Sequence, residues 1–395
     1  MQAIIIERLF ASLSILNTDL GKKKILFFSA GLSPYDDFFL QKMSDYFEVE
    51  YATFNSTPTV RTDISKNTWV MGSRFAPNRR TKIGHALIYL LGSLEAKTVI
   101  RRTRPAIIIG NYASSYGNLC AKLKFHPNVL FVYGSDVLVE PYRSRFKARA
   151  VKNAISKADL IFLDSAIQEH ASIALGADPE KIVRFPWIDA KMLIDHRSKS
   201  TLAHKQFNEN QNRVILCTRS HEPVYQVDMV ILAFSSVRKR FPDVRLRLAG
   251  AGSLTPKLKT LVKNLGLSNC VEFMGRLPRD RVIELYDFAD VYVSASTSDG
   301  TSASLIEAMC RGTPVIVSKI PGNEEWIQHG KNGFLFDPHN RELLVEQMEN
   351  ALNLDKKKKD KIVSEARNIA LAKASWQNNQ FKLYNRILEL TKNNN

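Results

Sequence analysis

The chain has 395 residues, of which 45% are hydrophobic and 24% charged, and it carries a formal net charge of +17 at pH 7. This length exceeds one ordinary hydrophobic core and suits two, and the balanced composition excludes a wholly disordered or fibrous protein. The positive charge favours an anionic partner, such as nucleic acid, a membrane surface or a phosphorylated ligand, without distinguishing among them.

The first half of the chain alternates short apolar runs with helical patterns. The run at 25–29 is almost wholly apolar, as a strand buried on both faces requires, and Gly31 turns the chain toward a helix predicted at 38–47. Further strands are predicted at 49–53, 106–110, 129–133 and 159–163, and a helix at 114–123. This order is typical of the start of a doubly wound parallel sheet.

A polar segment at 196–212, rich in Ser, Lys, Asn and Gln, predicts a linker between two domains. A second series follows it, with strands at 214–217, 244–249, 271–274, 291–293, 315–317 and 334–336 and helices at 227–239, 257–265, 281–288, 302–311, 341–352, 358–372 and 379–390. The predicted class is α/β, with two doubly wound, Rossmann-like domains at 1–195 and 213–376 that face each other across a cleft. A final helix at about 377–395 is expected to pack back onto the first domain.

The strongest chemical signal is the segment 298–314, Ser-Asp-Gly-Thr-Ser-Ala-Ser-Leu-Ile-Glu-Ala-Met-Cys-Arg-Gly-Thr-Pro, between a predicted strand and helix. Its small residues let a ligand approach the backbone, and the amides of Ser302 to Leu305 are expected to point out of the helix N-terminus. Free amides and the helix dipole together favour a phosphate. Glu307, about one and a half turns into the helix, is placed to accept both hydroxyls of a ribose. Asp299, at the loop mouth, is placed to accept hydrogen bonds from a sugar.

The spacing of this segment resembles that of a known enzyme family. Asp299 and Glu307 are separated by seven residues and are followed by Ala308-Met309 and by Gly312-Thr313-Pro314. The sequence resembles retaining glycosyltransferase family 4, also called the group 1 glycosyltransferases, whose fold is GT-B. The family usually has Glu at the first acidic position, so Asp299 leaves the identity of the donor sugar open.

The resemblance continues on both sides of this segment, over about residues 212–340. Leu248–Gly252 is similar to the family's strand and glycine turn, and Val271–Leu277 to the strand and loop that hold the nucleotide base through the backbone. The resemblance implies that Arg219, Asp299 and Glu307 are catalytic. The donor-binding residues that it implies are Gly31, Tyr133, Arg219, Gly250, Gly275, Arg276, Leu277, Asp299, Gly300, Thr301, Ser302, Ala303, Ser304, Leu305 and Glu307.

Two departures from the family pattern concern polar contacts with the donor. The family arginine that matches Arg219 contacts the donor diphosphate, usually with a lysine several residues later, but here Tyr225 or Gln226 occupies that region. The alternative for Arg219 is a surface ion pair. Tyr133 stands where the family often has a histidine that contacts the donor sugar, and either a hydrogen bond or simple packing fits it. Asp136 is interpreted either as the cap of the following helix or as a contact to acceptor or sugar.

A basic stretch surrounds the apolar run at 83–94. Its cations are Arg74, Arg79, Arg80, Lys82, Arg101, Arg102 and Arg104. Such a helix either lies on an anionic membrane or is a core helix with a solvated face. No apolar run approaches the ~20 residues that span a bilayer, and the first residues do not predict a signal peptide. The expected location is cytoplasmic, with contact to a membrane face as an additional hypothesis, and the four cysteines are expected to be buried free thiols.

The predicted function is transfer of a sugar, with retention of configuration, from a nucleotide-sugar to a hydroxyl of a glycan or lipid-linked acceptor. UDP is the expected nucleotide, and neither a metal nor another cofactor is expected, since no Asp-x-Asp clamp lies between a strand and a loop. The alternatives are a degenerate GT-B subunit acting as a partner, a sugar-nucleotide epimerase or phosphorylase of the same fold, and a nucleic-acid-binding protein. No motif supplies a pyridoxal lysine, and no nucleic-acid module is recognised, so nucleic acid is not an expected partner.

Overall fold

A computed structural model of the chain describes residues 22–31, 34–54, 67–72, 82–186, 188–195 and 213–392. The predicted linker at 196–212 and the predicted basic residues Arg74, Arg79 and Arg80 lie outside the described residues. The chain divides into two compact units. The first comprises Met1–Leu163, Ala171–Val183 and Leu383–Asn395, and the second comprises Asp164–His170 and Arg184–Lys382.

The first sheet has seven strands in the order β3-β2-β1-β4-β5-β6-β7. The strands are β1 (Lys24–Phe28), β2 (Glu48–Thr53), β3 (Thr68–Val70), β4 (Ile107–Asn111), β5 (Asn128–Phe131), β6 (Leu160–Leu163) and β7 (Ile182–Arg184). All neighbours from β3 to β6 pair in parallel. Ile107, Ile108 and Ile109 are completely buried, because helices cover both faces of a doubly wound sheet.

Eight helices accompany these strands in the described range, and the sequence pattern predicted three of them, near 38–47, 83–94 and 114–123. They are α1 (Pro34–Ser44), α2 (Lys82–Thr103), α3 (Asn118–Leu123), α4 (Ser135–Leu138), α5 (Glu140–Arg143), α6 (Arg145–Lys157), α7 (Ala166–Ala174) and α8 (Ala190–Asp195). The helix predicted at 114–123 is a π-helical turn, Tyr112–Gly117, that continues into α3. A wide turn of this kind is frequent at functional sites and has no signal in hydrophobic periodicity.

The second sheet has six strands in the order β10-β9-β8-β11-β12-β13, and every neighbouring pair is parallel. The strands are β8 (Val214–Cys217), β9 (Arg245–Leu248), β10 (Val271–Phe273), β11 (Val291–Ser294), β12 (Val315–Ser318) and β13 (Phe334–Phe336). Its core combines strand residues such as Ile215 and Val293 with helix residues such as Phe234 and Met348, all of them fully buried.

Eight helices of the chain follow β8 in the described range. They are α9 (Val227–Arg240), α10 (Thr255–Asn264), α11 (Arg279–Asp287), α12 (Ala303–Arg311), α13 (Pro321–Glu324), α14 (Arg341–Leu352), α15 (Lys356–Lys373) and α16 (Trp376–Lys392). Gly312 ends α12 with φ +84°, a left-handed conformation that glycine adopts without steric cost. In the first unit, the Tyr384 hydroxyl donates to the Lys42 carbonyl at 3.0 Å, which ties the end of α16 to α1.

The architecture confirms the predicted fold class of two doubly wound α/β sheets. The predicted domain boundaries stay a prediction. All four cysteines are buried and free. Within the described ranges, no helix is both long enough and apolar enough to cross a membrane.

Candidate functional site

The order of the second sheet reverses between β8 and β11, which lie next to each other although β9 and β10 separate them in the chain. Ligands of open α/β sheets bind beyond the carboxyl ends of the strands at such a switch point. Arg219 follows β8 there, and the loop containing Asp299 follows β11. These are two of the three residues predicted to be catalytic.

Arg219 is the centre of a buried polar cluster. One guanidinium nitrogen, Nη1, donates to the hydroxyls of Ser302 and Ser304, each at 2.9 Å, and Nη2 donates to the Asp299 carboxylate at 2.7 Å. The Tyr292 hydroxyl donates to Ser304 at 2.7 Å and extends the cluster to β11. The side chain of Arg219 is only 9% exposed, so it is not a surface ion-pair residue.

Tyr225 stacks on Arg219, with the guanidinium carbon 4.0 Å from the ring centroid. Gln226, the other residue considered for the region of the missing lysine, has φ +42° at the start of α9. Burial lowers the pKa of Arg219, but the Asp299 carboxylate and the neighbouring tyrosines raise it more, so the guanidinium stays charged. Its Nε is buried and has no hydrogen-bond partner in the described part of the chain.

The loop that carries Asp299 is packed closely at the backbone. A Cβ at Gly300 would overlap the Gln168 side chain, and one at Gly322 would lie 2.6 Å from the Asp299 carbonyl oxygen. The N–H of Thr301 donates to the Asp164 carboxylate at 3.0 Å. Asp164 and Gln168 belong to the same unit as this loop, but they are distant in sequence and no motif indicated them.

Helix α12 presents its N-terminus to the cluster. Ser302 is the N-cap, and its carbonyl accepts from the N–H of Leu305 at 3.1 Å and of Ile306 at 3.2 Å. The amides of Ala303 and Ser304 precede these first intrahelical bonds and are the ones directed outward. The predicted anion site at the helix N-terminus therefore consists of two outward amides. The amide of Leu305 is not one of them, because it donates to the Ser302 carbonyl within the helix.

Glu307 is buried one turn further along α12. Its Oε2 accepts from the Tyr286 hydroxyl at 3.2 Å, and its Oε1 lies 3.6 Å from Nη2 of Arg279. Because Tyr286 donates to Glu307, it accepts from the Thr218 hydroxyl at 2.8 Å. A carboxylate oriented by a tyrosine and an arginine suits the recognition of paired hydroxyls, but the sequence motif showed neither of these supporting residues.

Gly250 lies against the backbone of Arg219, and a Cβ there would overlap the Arg219 carbonyl oxygen. We therefore expect Gly250→Ala to lower the free energy of unfolding by about 1–3 kcal/mol. The added methyl group would clash with backbone atoms, which can move apart only if the ends of two strands shift. Gly266→Asn is the matched control, since φ is +69° and no heavy atom lies within 4 Å of the added Cβ. Urea denaturation monitored by circular dichroism measures both, and equal stabilities of the two variants would contradict the steric argument.

The remaining predicted residues of the second unit follow β10. Gly275 has φ +69°, Arg276 is exposed and Leu277 is half-buried. No heavy atom lies within 4 Å of a Cβ built on Gly275, so this glycine is explained by its backbone conformation and the surrounding space is open. The predicted contact of Gly275, Arg276 and Leu277 with the nucleotide base stays a prediction.

Gly31 and Tyr133 belong to the first unit, near the carboxyl ends of β1 and β5. The Tyr133 hydroxyl donates to the Asp36 carboxylate, and the Asn111 amide donates to Asp36 at 2.7 Å and lies 2.9 Å from the Tyr133 hydroxyl. Burial, followed by the charge of Asp36, raises the pKa of Tyr133 well above its usual value. Tyr133 therefore acts as a neutral hydroxyl in a polar cluster and is more than a packing residue.

Asp136 does not cap the helix to which it belongs. Its carboxylate accepts backbone N–H groups from Tyr133 at 3.0 Å, Gly134 at 2.9 Å and Ala113 at 2.9 Å. It thus joins the loop after β5 to the first turn of the π-helical segment. Complete burial raises the pKa of Asp136 to about 6, although these three donors oppose the rise.

The structure brings Arg219, Asp299, Ser302 and Ser304 into direct contact and places Gly250 against them. Among the described residues, no group of three or more His, Cys, Asp or Glu side chains is arranged to hold a metal ion. Such a cluster can bind and neutralise an anion through one fixed cation, several hydroxyls and a helix N-terminus.

Two family models match the chain. The model described as glycosyl transferases group 1 matches residues 199–369, and the model described as glycosyl transferase 4-like matches residues 24–165. The first match includes Arg219, Asp299 and Glu307, and the second includes Gly31 and Tyr133. Each model therefore corresponds to one of the two sheets.

Curated relatives match shorter segments. An uncharacterized glycosyltransferase of Methanocaldococcus jannaschii is 32% identical over 152 residues, which are 38% of this chain and 38% of the relative. Mannosylfructose-phosphate synthase of Agrobacterium fabrum is 32% identical over 123 residues, 29% of this chain and 27% of the relative. These matched segments span less than half of each relative's own length.

Solved structures resemble the chain over most of its length. Anabaena HepE in complex with UDP-glucose has a TM-score of 0.76 and 20% sequence identity, with 93% of this chain and 100% of that chain covered. Sucrose-phosphate synthase of Thermosynechococcus elongatus has a TM-score of 0.75 and 17% identity over the same shares of the two chains. At this level of identity, the likeness establishes the fold.

Proposed function

Because the chain belongs to the group 1 glycosyltransferases and has the GT-B fold, we propose that it is a hexosyltransferase that uses a nucleotide-sugar donor. The observation that carries this proposal is the cluster of Arg219 with Asp299, Ser302 and Ser304 at the N-terminus of α12. It combines a fixed cation, hydroxyls and outward amides where the sheet order reverses. A diphosphate is the anion whose two charged groups match that extended set of donors.

The nucleotide is proposed to be UDP. HepE, which shares the fold, binds UDP-glucose, and this supports the same nucleotide here. Glu307 then accepts the ribose hydroxyls, and the loop of Gly275 to Leu277 contacts the base through its backbone. Asp299 contacts the sugar. In the free protein Asp299 pairs with Arg219. When the nucleotide-sugar binds, the N–H groups of Arg219 are shared between this carboxylate and the diphosphate.

The proposed reaction is front-face displacement with retention of configuration. The bond between the sugar anomeric carbon and the β-phosphate oxygen breaks, and a bond from the acceptor oxygen to that carbon forms on the same face. The departing phosphate oxygen takes the proton of the acceptor hydroxyl, so the charges balance. Arg219 and the amides of α12 stabilise the negative charge that develops on the diphosphate, which makes the proposed reaction independent of a metal ion.

The acceptor is proposed to be a hydroxyl of a glycan or of a lipid-linked saccharide. The first unit offers a polar cluster of Asp36, Asn111 and Tyr133 at the carboxyl ends of its strands, the edge where such sheets bind ligands. Amides, carboxylates and hydroxyls of this kind suit a polyhydroxyl ligand.

A thermal-shift screen with UDP-, GDP- and ADP-sugars tests the donor. A ligand that binds only the folded protein raises the melting temperature by mass action. We expect stabilisation by UDP-sugars, which is weakened in Arg219→Ala and in Glu307→Ala. Arg213→Ala is the matched control, because Arg213 forms a similar pair with Asp243 on the surface. No stabilisation by any of the three nucleotide classes would contradict the proposal.

A further inference from the structure

Two aromatic side chains of the first unit project into solvent on either side of the junction between α5 and α6. Tyr142 is 81% exposed and Phe146 is 87% exposed, more than any other large hydrophobic residue that the structure describes. Folding normally removes such side chains from water, since burial of a phenylalanine stabilises a protein by roughly 1.5–3 kcal/mol. Two such rings four residues apart favour a surface that contacts a partner.

The same segment is strongly basic. Residues 141–158 contain no Asp or Glu, and six cations lie among them: Arg143, Arg145, Lys147, Arg149, Lys152 and Lys157. All six are exposed. Glu140, just before them, pairs with Arg143 at 2.6 Å and with Lys147 at 2.8 Å, so its charge offsets part of the patch. The four remaining cations have no acidic neighbour within the segment.

The helix holds this face outward by burying the opposite one. Val151, Ala154 and Ile155 of α6 belong to a hydrophobic core cluster. At 100° per residue, the mean direction of these three residues lies about 130° around the helix from Phe146 and about 170° from Arg149. Ser144 begins α6 by accepting the N–H of Lys147 at 3.3 Å, so Phe146 is displayed on a capped, anchored helix, and Tyr142 lies in the short helix α5 before it.

We propose that this α5–α6 patch, consisting of Tyr142, Phe146 and the surrounding cations, docks the protein on an anionic lipid bilayer. A helix with lysine and arginine beside exposed aromatic side chains suits the interface, where the rings enter the boundary of headgroups and acyl chains and the cations contact lipid phosphates. The complementarity of charge identifies the occupant, because an anionic lipid surface attracts all of the cations at once. A partner protein would need an acidic groove that also accepts two exposed aromatic rings.

This surface differs from the one that the sequence pattern indicated. The basic stretch around 83–94 contributes Arg101 and Arg102, which are exposed at the end of α2, and Leu94 is 59% exposed. The α5–α6 patch lies later in the chain and had no signal in the apolar pattern, because its two aromatic residues are isolated among polar ones. Membrane docking through the α5–α6 patch goes beyond the proposed transferase activity and is measured without a nucleotide-sugar.

Sedimentation of the full chain with vesicles tests the proposal. We expect binding to phosphatidylcholine vesicles that contain phosphatidylglycerol, and little binding to phosphatidylcholine alone. Tyr142→Ser/Phe146→Ser should lower the partition coefficient by about tenfold or more, as loss of two buried rings predicts. Arg145→Glu/Arg149→Glu should lower it by a similar factor, and added salt should reduce wild-type binding, because exposed charges are screened.

Matched controls separate the patch from general charge. Lys356→Glu/Lys357→Glu reverses two exposed charges in the second unit and should leave vesicle binding unchanged. If Leu94→Ser or Arg101→Glu/Arg102→Glu abolishes binding while the patch variants bind normally, the proposal is overturned. It is also overturned if the patch variants lose only self-association in light scattering, or only binding to single-stranded RNA. Far-ultraviolet circular dichroism and the UDP-sugar thermal shift confirm that each variant is folded.

Discussion

Replacement of Arg219 by alanine is expected to lower kcat/KM for the nucleotide-sugar by about 10²- to 10³-fold, the usual cost of removing one group that stabilises developing charge. Arg219 is held by Ser302, Ser304 and Asp299 and stacks on Tyr225, so its guanidinium is oriented before the donor arrives. Since no second cation follows it at the position of the family lysine, no neighbouring side chain of that segment takes over its charge. Steady-state kinetics with a UDP-sugar measures the effect.

Arg219→Lys distinguishes charge from geometry. A lysine keeps the charge but cannot form the forked contacts with two serines and a carboxylate, so activity should recover only in part. Arg219→Ala/Asp299→Asn tests whether the unpaired Asp299 carboxylate, rather than the missing cation, causes the loss. Full activity of Arg219→Ala in a folded protein would refute the assignment of Arg219 to the diphosphate, and Arg213→Ala controls for loss of an ordinary surface arginine.

Replacement of Glu307 by glutamine is expected to weaken UDP binding by about 10- to 100-fold. Hydrogen bonds to a charged group contribute roughly 1.5–3 kcal/mol, and the change also removes the negative charge that lies 3.6 Å from Arg279. Isothermal titration calorimetry with UDP and with 2′-deoxy-UDP separates loss of the ribose contact from loss of the contact with Arg279. The wild type should prefer UDP clearly, and the variant should bind both nucleotides with nearly equal affinity.

Glu284→Gln is the control for this experiment. Glu284 pairs with Arg281 at 2.8 Å on the exposed side of α11, the helix that also carries Arg279. Its replacement should leave both nucleotide affinities unchanged. If Glu307→Gln weakens UDP and 2′-deoxy-UDP by the same factor, Glu307 supports the fold of α12 and does not contact the ribose.

The alternation of apolar runs and amphipathic segments predicted both sheets, because strands buried on two faces need continuous apolar residues. β1, β8 and β13 begin or end within one residue of their predicted positions. The motif from Asp299 to Pro314 likewise identified α12, its Glu307 and the preceding Asp299 from local spacing alone. The short strands β3 and β7 and the helices α4 to α8 and α13 were missed, since very short segments and a mostly polar helix such as α6 leave little periodic signal.

The sequence by itself determined the class of fold, the family and the residue types at the candidate site, because these depend on periodicity and on spacing within one segment. Only the tertiary structure decided which groups act together. The contacts of Arg219 with Ser304, of Tyr286 with Glu307 and of Thr301 with Asp164 join residues 85, 21 and 137 positions apart. The geometry of these contacts follows from the order of the strands in the sheet. The local pattern of apolar and polar residues does not encode which distant segments become neighbours.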